Sequence, residues 1–366
     1  MNQFLLDIKI LYSLWSVIRA QDFFIGQTVE NFEKSLCVFT RSSHAMGVSS
    51  GTDALILSLK ALGIGAGDEV IIPAISFFST ASAVSWVGAT PVFVDIDPKS
   101  KTIDVSLAEK AITKKTKAVI PVHLDGRMAD VDALAALGKK RSIFIIVDGA
   151  HAIGSRYKNR EVGECGDIVC LSFSFTKPFG SYGNAGAILT NNKALYEKIA
   201  PFRMYGATSK KGIYSNNSVP SGSHRMDSFQ AAVLNCKLPL WHTWMKKQRE
   251  HYLLYQKTLS GVPGIILPDT HPDFFHNGFR FTFLSQSKIA LKEFLSRTGM
   301  SIPDYYSVPL PLLPAFKYMG HARGDFPVAE EFARESVTLP TRFSLSTRSV
   351  NAIAARIRDF CQRMAH

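Results

Sequence analysis

Six apolar runs rich in Val and Ile punctuate the middle of this chain, at 69–73, 90–95, 118–123, 143–148, 167–173 and 185–190. Helical patterns lie between several of them, at 52–62, 80–87, 105–112 and 131–138. Strands alternating with helices predict βαβ units and a mostly parallel sheet. The runs are continuously apolar rather than alternating, as strands are when helices cover both faces. This places the chain in the α/β class, with a large domain holding its sheet between helices.

The pattern changes after Pro201. Residues 207–224 are polar and rich in Gly and Ser, and read as a long loop of the kind that is functional or mobile. A helix is predicted from Met226 toward Trp241. Residues 250–366 read as a smaller α+β unit, with a strand at 279–284 and a terminal helix at 347–363. At about 150 residues per domain, 366 residues suggest two domains. The expected division is 1–240 for an N-terminal helix and the large domain, and 241–366 for the small C-terminal domain. In the N-terminal helix Leu5, Ile8, Leu11, Leu14, Trp15 and Ile18 recur at three- and four-residue steps, an apolar stripe. A second helix is predicted near Thr28. The first is expected to pack on the smaller domain.

Composition narrows the partners. Apolar residues at 46% and charged residues at 20% exclude a disordered chain. The net charge of +12 fits an anionic partner such as a phosphate, a nucleotide, nucleic acid or a membrane surface, and fits equally a solvated basic surface. Lys114-Lys115, Lys139-Lys140-Arg141, Lys210-Lys211 and Lys246-Lys247 are short and dispersed, which argues against nucleic acid. No stretch reaches 18 uninterrupted apolar residues, so no membrane span is expected. Five scattered cysteines without a CxxC pair read as reduced thiols of a cytoplasmic protein, with no metal site. A nucleotide-dependent dehydrogenase would need G-x-G-x-x-G between a strand and a helix. Gly63, Gly65 and Gly67 precede a strand instead, and Gly180, Gly183 and Gly186 have the wrong spacing.

Three segments could carry chemistry. Ser49-Ser50-Gly51-Thr52-Asp53 leads small residues into a helical pattern, and a helix start offers unpaired amides to a phosphate. Ser and Thr are also ordinary helix caps. Asp148 closes an apolar run just before Gly149, where ligands gather in open parallel sheets. Asp before Gly is equally a common turn. Lys177 ends the apolar segment from Ser172, and a desolvated Lys has a lowered pKa and becomes a nucleophile. A surface Lys that snorkels to water is the plain alternative. Together the three change the balance. A phosphate site, an Asp for a pyridinium nitrogen and a Schiff-base Lys are what pyridoxal phosphate requires of a protein.

At this constellation the chain resembles the DegT/DnrJ/EryC1/StrS family of PLP-dependent sugar aminotransferases, of the aspartate-aminotransferase fold (fold type I). The matching segments are 48–55, 87–97, 148–154, 171–177, Arg225-Met226-Asp227 with Gln230-Ala231-Ala232, and 324–330. The resemblance implies that Lys177 holds the cofactor as an imine and serves as catalytic acid and base, and that Asp148 pairs with the pyridine nitrogen. It places Phe77 on the cofactor ring, Gly51, Thr52 and Ser172 on its phosphate, and His151 near its ring hydroxyl. It further implies a homodimer whose sites are completed by the neighbour's loop before Arg225. The family's usual Asn in that loop is Ser223 here, the residue after the lysine is Pro178, and a usual His-Tyr-Pro stretch reads Tyr305-Tyr306-Ser307. A sub-branch that performs sugar dehydration carries His in place of the lysine, so Lys177 argues against it. Retention of Lys177 and Asp148 argues against a non-catalytic regulator.

The expected reaction has two halves. An amino donor, glutamate in most of the family, displaces Lys177 and leaves its amino group on the cofactor. A keto-sugar, expected to be nucleotide-linked, then takes that group; a cyclitol or other non-nucleotide ketone is the alternative. The diphosphate is expected to meet Lys210, Lys211 and Arg225.

Overall fold

The computed structural model describes residues 3–207 and 215–364. Helices α1 (Gln3–Ala20) and α2 (Gln27–Thr40) precede strand β1 (His44–Val48) and helix α3 (Gly51–Ala61). Then come β2 (Glu69–Pro73), α4 (Phe78–Trp86), β3 (Thr90–Val94), α5 (Val105–Lys110), β4 (Thr116–Val119), α6 (Val131–Arg141) and β5 (Phe144–Asp148). Short strands β6 (Arg156–Tyr157) and β7 (Arg160–Glu161) lead to β8 (Ile168–Ser172), β9 (Gly186–Thr190) and α7 (Lys193–Arg203). The C-terminal part holds α8 (Ser228–Leu259), β10 (Ile265–Ile266), β11 (Phe274–Phe275), β12 (Arg280–Ser285), α9 (Lys288–Arg297), α10 (Pro327–Glu335), β13 (Ser336–Pro340) and α11 (Thr347–Met364).

The large sheet has seven strands in the order β1-β9-β8-β5-β4-β2-β3. All six predicted runs are strands of it. Strands β8, β5, β4, β2 and β3 pair in parallel, whereas β9 runs antiparallel to both β8 and β1. Two reversals restore β1 to the direction of β8. The carboxyl ends of β1, β2, β4, β5 and β8 therefore share one edge. Successive residues face opposite sides, as strand geometry demands. Ile146 joins the core on one face of the sheet, and Ile145 and Val147 join the core on the other.

Side-chain caps start the helices that leave this edge. The Ser50 hydroxyl accepts from the Asp53 amide at α3, and the Asp130 carboxylate from the Ala133 amide at α6. Strand β1, with Ala45, Met46 and Gly47 at its centre, lacks a Val/Ile run and escapes sequence reading.

Helix α8 departs from expectation in length. It is 32 residues long and continues through Pro239, which deletes one backbone donor without ending the helix. It runs through residues 240 and 241. Its first half (Leu234, Leu238, Trp241, Met245) packs in the large core, and its second half (Tyr252, Tyr255, Leu259) in a separate core with Phe281 and Ile357.

Helix α1 forms where the periodicity places it, and it packs on the first half of α8, mostly on the large-domain side of residue 240 rather than on the C-terminal unit. Leu6 and Ile10 pack against Val233 and Cys236 at the start of α8. Most of the predicted stripe faces outward: Leu11 is 66% exposed and Trp15 56%, with Leu5, Ile8 and Ile18 also exposed, whereas Leu14 packs against the Leu6 and Ile10 cluster. Within the polar 207–224 stretch, Lys210 and Lys211 lie outside the described residues. Around them the chain makes bridges from Met204 to Ser223 and from Ala207 to Asn217. Among the described residues no helix is long and apolar enough to cross a membrane.

Candidate active site

A cavity of about 660 Å³ opens at the shared carboxyl edge of the sheet. Gly51, Thr52, Phe77, Asp148, His151, Ser172 and Lys177 all line it. Topology brings them there. Gly51 and Thr52 begin α3 just after β1, Phe77 follows β2, Asp148 ends β5 and Ser172 ends β8.

Asp148 is buried. Its Oδ2 accepts from the Thr80 hydroxyl at 2.7 Å, and its Oδ1 from the Ala150 amide at 3.3 Å. Burial raises its pKa above the usual carboxylate value, and the Thr80 bond and the Lys177 charge oppose that shift. Among the described residues this carboxylate forms no ion pair. A buried carboxylate facing a cavity favours a ligand that brings a positive group.

Lys177 lies in the excursion between β8 and β9. Its amide donates to Ser174 O at 2.8 Å, and the excursion is closed below by Ser181 Oγ donating to Phe173 O at 2.7 Å. Phe173 and Phe179 bury its base. Lys177 Nζ stands 3.0 Å from His151 Nε2 and 5.7 Å from the centroid of the Phe77 ring. Burial lowers its pKa from 10.5 to about 8, an effect that Asp148 resists and Arg280 reinforces. At neutral pH such an amine is far more often free base than an ordinary lysine.

The start of α3 lies at the cavity wall and is suited to an anion. First-turn amides have no acceptor within a helix, and those of Gly51 and Thr52 lie at the wall. Thr52 Oγ1 donates to Ser79 Oγ at 2.8 Å. A Cβ on Gly51 would come within 2.7 Å of Ser172 Cβ, and one on Gly186 within 2.4 Å of the Ser50 carbonyl carbon. Only glycine permits this close approach of strand, turn and helix. Ser223 is not part of the cavity; it is exposed, in its bridge to Met204.

Pyridoxal phosphate suits these residues. A glycine-tight helix start would take its phosphate, a buried carboxylate its pyridinium nitrogen and a lysine of lowered pKa its aldehyde carbon. Phe77, half exposed at the wall, offers a ring face. Tyr305 and Tyr306 also line the cavity, and the Tyr306 ring lies 6.3 Å from that of Phe77. Thr80, Asp125 and Arg280 were not singled out from the sequence. Thr80 carries no motif. Asp125 and Arg280 meet only through the fold, although Asp125-Gly126 is a turn signal that could have drawn attention.

A profile of the DegT/DnrJ/EryC1/StrS aminotransferase family matches residues 7–358. The chain is 37% identical to the "Pleiotropic regulatory protein" of Geobacillus stearothermophilus, over 98% of this chain and 95% of that protein. It is 35% identical to the dTDP-3-amino-3,4,6-trideoxy-alpha-D-glucose transaminase of Streptomyces venezuelae, over 98% and 96%. The crystal structure of S. venezuelae DesV in complex with a ketimine intermediate superimposes with a TM-score of 0.94, covering 97% of this chain and 95% of that chain at 35% identity.

Proposed function

The chain belongs to the DegT/DnrJ/EryC1/StrS aminotransferase family and is a PLP-dependent aminotransferase of fold type I, and from that premise we propose that it moves an amino group from glutamate to a nucleotide-linked keto-sugar. The observation that carries the reading is the pairing of Lys177 with His151 at 3.0 Å in the same cavity as the buried Asp148. The name of the Streptomyces transaminase, which specifies a dTDP-linked sugar, supports the nucleotide. The basic excess of +12 is compatible with it.

Pyridoxal phosphate, when bound, supplies a conjugated ring that accepts electrons from the carbon bearing the amino group. The chain's own residues do the rest. Asp148 holds a proton at the ring nitrogen, and Thr80 keeps its carboxylate aimed. Lys177 Nζ first anchors the cofactor. With the cofactor bound, Lys177 Nζ would serve as the base that takes the substrate Cα proton and as the acid that gives it back. Positioned proton transfer of this kind contributes about 10²–10⁴-fold. His151 orients the lysine, and Phe77 covers one ring face. Gly51, Thr52 and Ser172 hold the phosphate. The regulatory name of the Geobacillus relative does not displace this reading, because both Lys177 and Asp148 are present and share one cavity.

The two-domain division at 240/241 belongs to the same proposal, with α8 as the helix common to both units. So does the homodimer. The outward apolar face of α1, with Ile8, Leu11, Tyr12, Trp15 and Ile18, is larger than scattered exposed residues would form and suits a protein interface. Ser223, away from its own cavity, is free to serve a neighbour's cofactor phosphate. The unpaired state of all five cysteines supports a cytoplasmic setting.

The test is a panel of nucleotide-linked keto-sugars offered with glutamate, read as 2-oxoglutarate release. Turnover of at least one is expected, and turnover confined to cyclitol ketones would overturn the nucleotide assignment. In sedimentation the active particle is expected at twice the 40.4 kDa chain mass. Full activity in a particle of single-chain mass would refute the shared site.

A further inference from the structure

One buried charge pair joins the C-terminal unit to the cavity. Asp125 sits in the Leu124–Gly126 turn that follows β4, with φ at +54°. A non-glycine residue keeps that left-handed conformation when its surroundings fix it. From β12, Arg280 Nη1 donates to Asp125 Oδ1 at 3.2 Å and Thr282 Oγ1 to Oδ2 at 2.7 Å. Ser155 Oγ donates to the Gly126 carbonyl at 2.7 Å and accepts from the Asn277 amide at 3.2 Å. Asp125 and Arg280 side chains are each only 12% exposed. Arg280 also lines the catalytic cavity, and its guanidinium lies 3.6 Å from the centroid of the Tyr305 ring.

The turn reaches the site through one bond. The Asp125 amide donates to His151 Nδ1 at 3.2 Å. A backbone amide can only donate, so Nδ1 carries no proton. Burial, with the nearby Lys177 and Arg280 charges, keeps the ring neutral. A neutral imidazole with a bare Nδ1 carries its proton on Nε2. That Nε2–H faces Lys177 Nζ at 3.0 Å and can donate to it whenever the amine, whose pKa is lowered to about 8, is free base.

We propose that the Leu124–Gly126 turn is a positioning device between the C-terminal unit and the catalytic lysine: Arg280 and Thr282 fix Asp125, and Asp125 fixes His151 as the Nε2–H tautomer that faces Lys177. The inference rests on the aminotransferase reading above. Asp125 and Arg280 are positioning residues, acting through His151 and through their balanced charges.

The groups facing Lys177 are Asp148 and His151 at the end of β5, Asp125 in the turn, Arg280 on β12, and Asp304, Tyr305 and Tyr306 beside the cavity. Asp304 is paired with Lys288 and Lys292. Removing either member of the Asp125–Arg280 pair leaves one unbalanced charge, and the two removals leave opposite signs. A surplus cation disfavours the protonated form of the cofactor-bound lysine, and a surplus anion favours it.

The experiment begins with borohydride reduction of the cofactor-loaded protein and mapping of the label. A label absent from Lys177 overturns the aminotransferase reading itself. With the label in place, the visible band is titrated from about pH 5 to pH 10. Asp125→Asn is expected to lower the midpoint by about 0.5–1 pH unit and Arg280→Gln to raise it by a similar amount. The double variant is expected to return toward the wild-type midpoint. Unmoved midpoints, or shifts of one sign in both single variants, overturn the positioning device. A second measurement is read on the wild-type protein and leaves the turn unsubstituted. Nitrogen-15 histidine spectra of cofactor-free wild-type protein, with His151 assigned by its loss in His151→Gln, are expected to show the Nε2–H tautomer. An Nδ1–H tautomer overturns the proposal even if a turn variant fails to fold.

Discussion

Lys177→Ala is expected to lower transamination by at least about 10³-fold and to leave the protein without the visible band of a cofactor-bound lysine. The size follows from the double use of one atom. In the proposed mechanism Nζ anchors the cofactor and the same Nζ then carries the proton between substrate and cofactor, so its removal would end both roles at once. The fold should survive. The excursion that carries Lys177 is held by Phe173, Phe179 and the Ser181 hydrogen bond to Phe173 O, none of which uses the amine. The amine itself is a cost to the cofactor-free protein. Its pKa falls from 10.5 to about 8, so the unfolded chain binds a proton there more readily than the folded one. Stability from this group therefore rises as pH climbs from about 8 to 10.5, and the penalty is complete below that window. The cofactor-free variant is accordingly expected to unfold at a higher temperature than cofactor-free wild type at pH 7. The gap should narrow by pH 10, as thermal melts at the two pH values would read. Retained turnover in this variant would remove Lys177 from the mechanism.

Where local pattern and topology coincide, the chain can be read directly. The continuous Val/Ile runs ending at Pro73, Asp148 and Phe173 mark parallel strands because burial on both faces demands them. Once the strands are parallel, Asp148 and Ser172 must share an edge, and Lys177 follows β8 closely enough to reach it. Strand β1 lacked such a run, and its place is settled only by antiparallel pairing with β9. The stripe on α1 was legible as a helix, but periodicity says which residues share a face and not what covers it. The buried face proved to be the narrower one of Leu6, Ile10 and Val17. Thr80, Asp125 and Arg280 show a different limit. Thr80 reaches Asp148 across 68 positions, and Arg280 reaches Asp125 across 155. Such pairs exist only after folding and leave no local period in the chain.

Asp148→Asn is expected to retain pyridoxal phosphate and to lose about 10³-fold in turnover. Retention follows from the proposed contacts, because Gly51, Thr52, Ser172 and Lys177 are unchanged and would grip other parts of the cofactor. The amide is nearly isosteric, and its single oxygen can keep the shorter bond, the one Thr80 donates to Asp148 Oδ2 at 2.7 Å, while its NH₂ takes the Oδ1 place, where the Ala150 amide donates at 3.3 Å. What changes is the group offered to the ring nitrogen. A carboxylate accepts a hydrogen bond and stabilises a proton there; the amide NH₂ donates, which favours an unprotonated nitrogen. The ring then accepts electrons poorly, and the proton transfer by Lys177 slows. Stability should move the other way. Burial raises the Asp148 pKa in the folded chain, so its carboxylate destabilises the cofactor-free protein above that raised value, and the penalty fades as pH falls toward the usual 3.8. The cofactor-free variant is therefore expected to melt at or above the wild-type temperature at pH 7. A variant that binds cofactor and turns over at the wild-type rate would refute the pyridinium role. One that cannot bind cofactor at all would show instead that Asp148 is part of the grip, and that the phosphate cradle at α3 does not hold by itself.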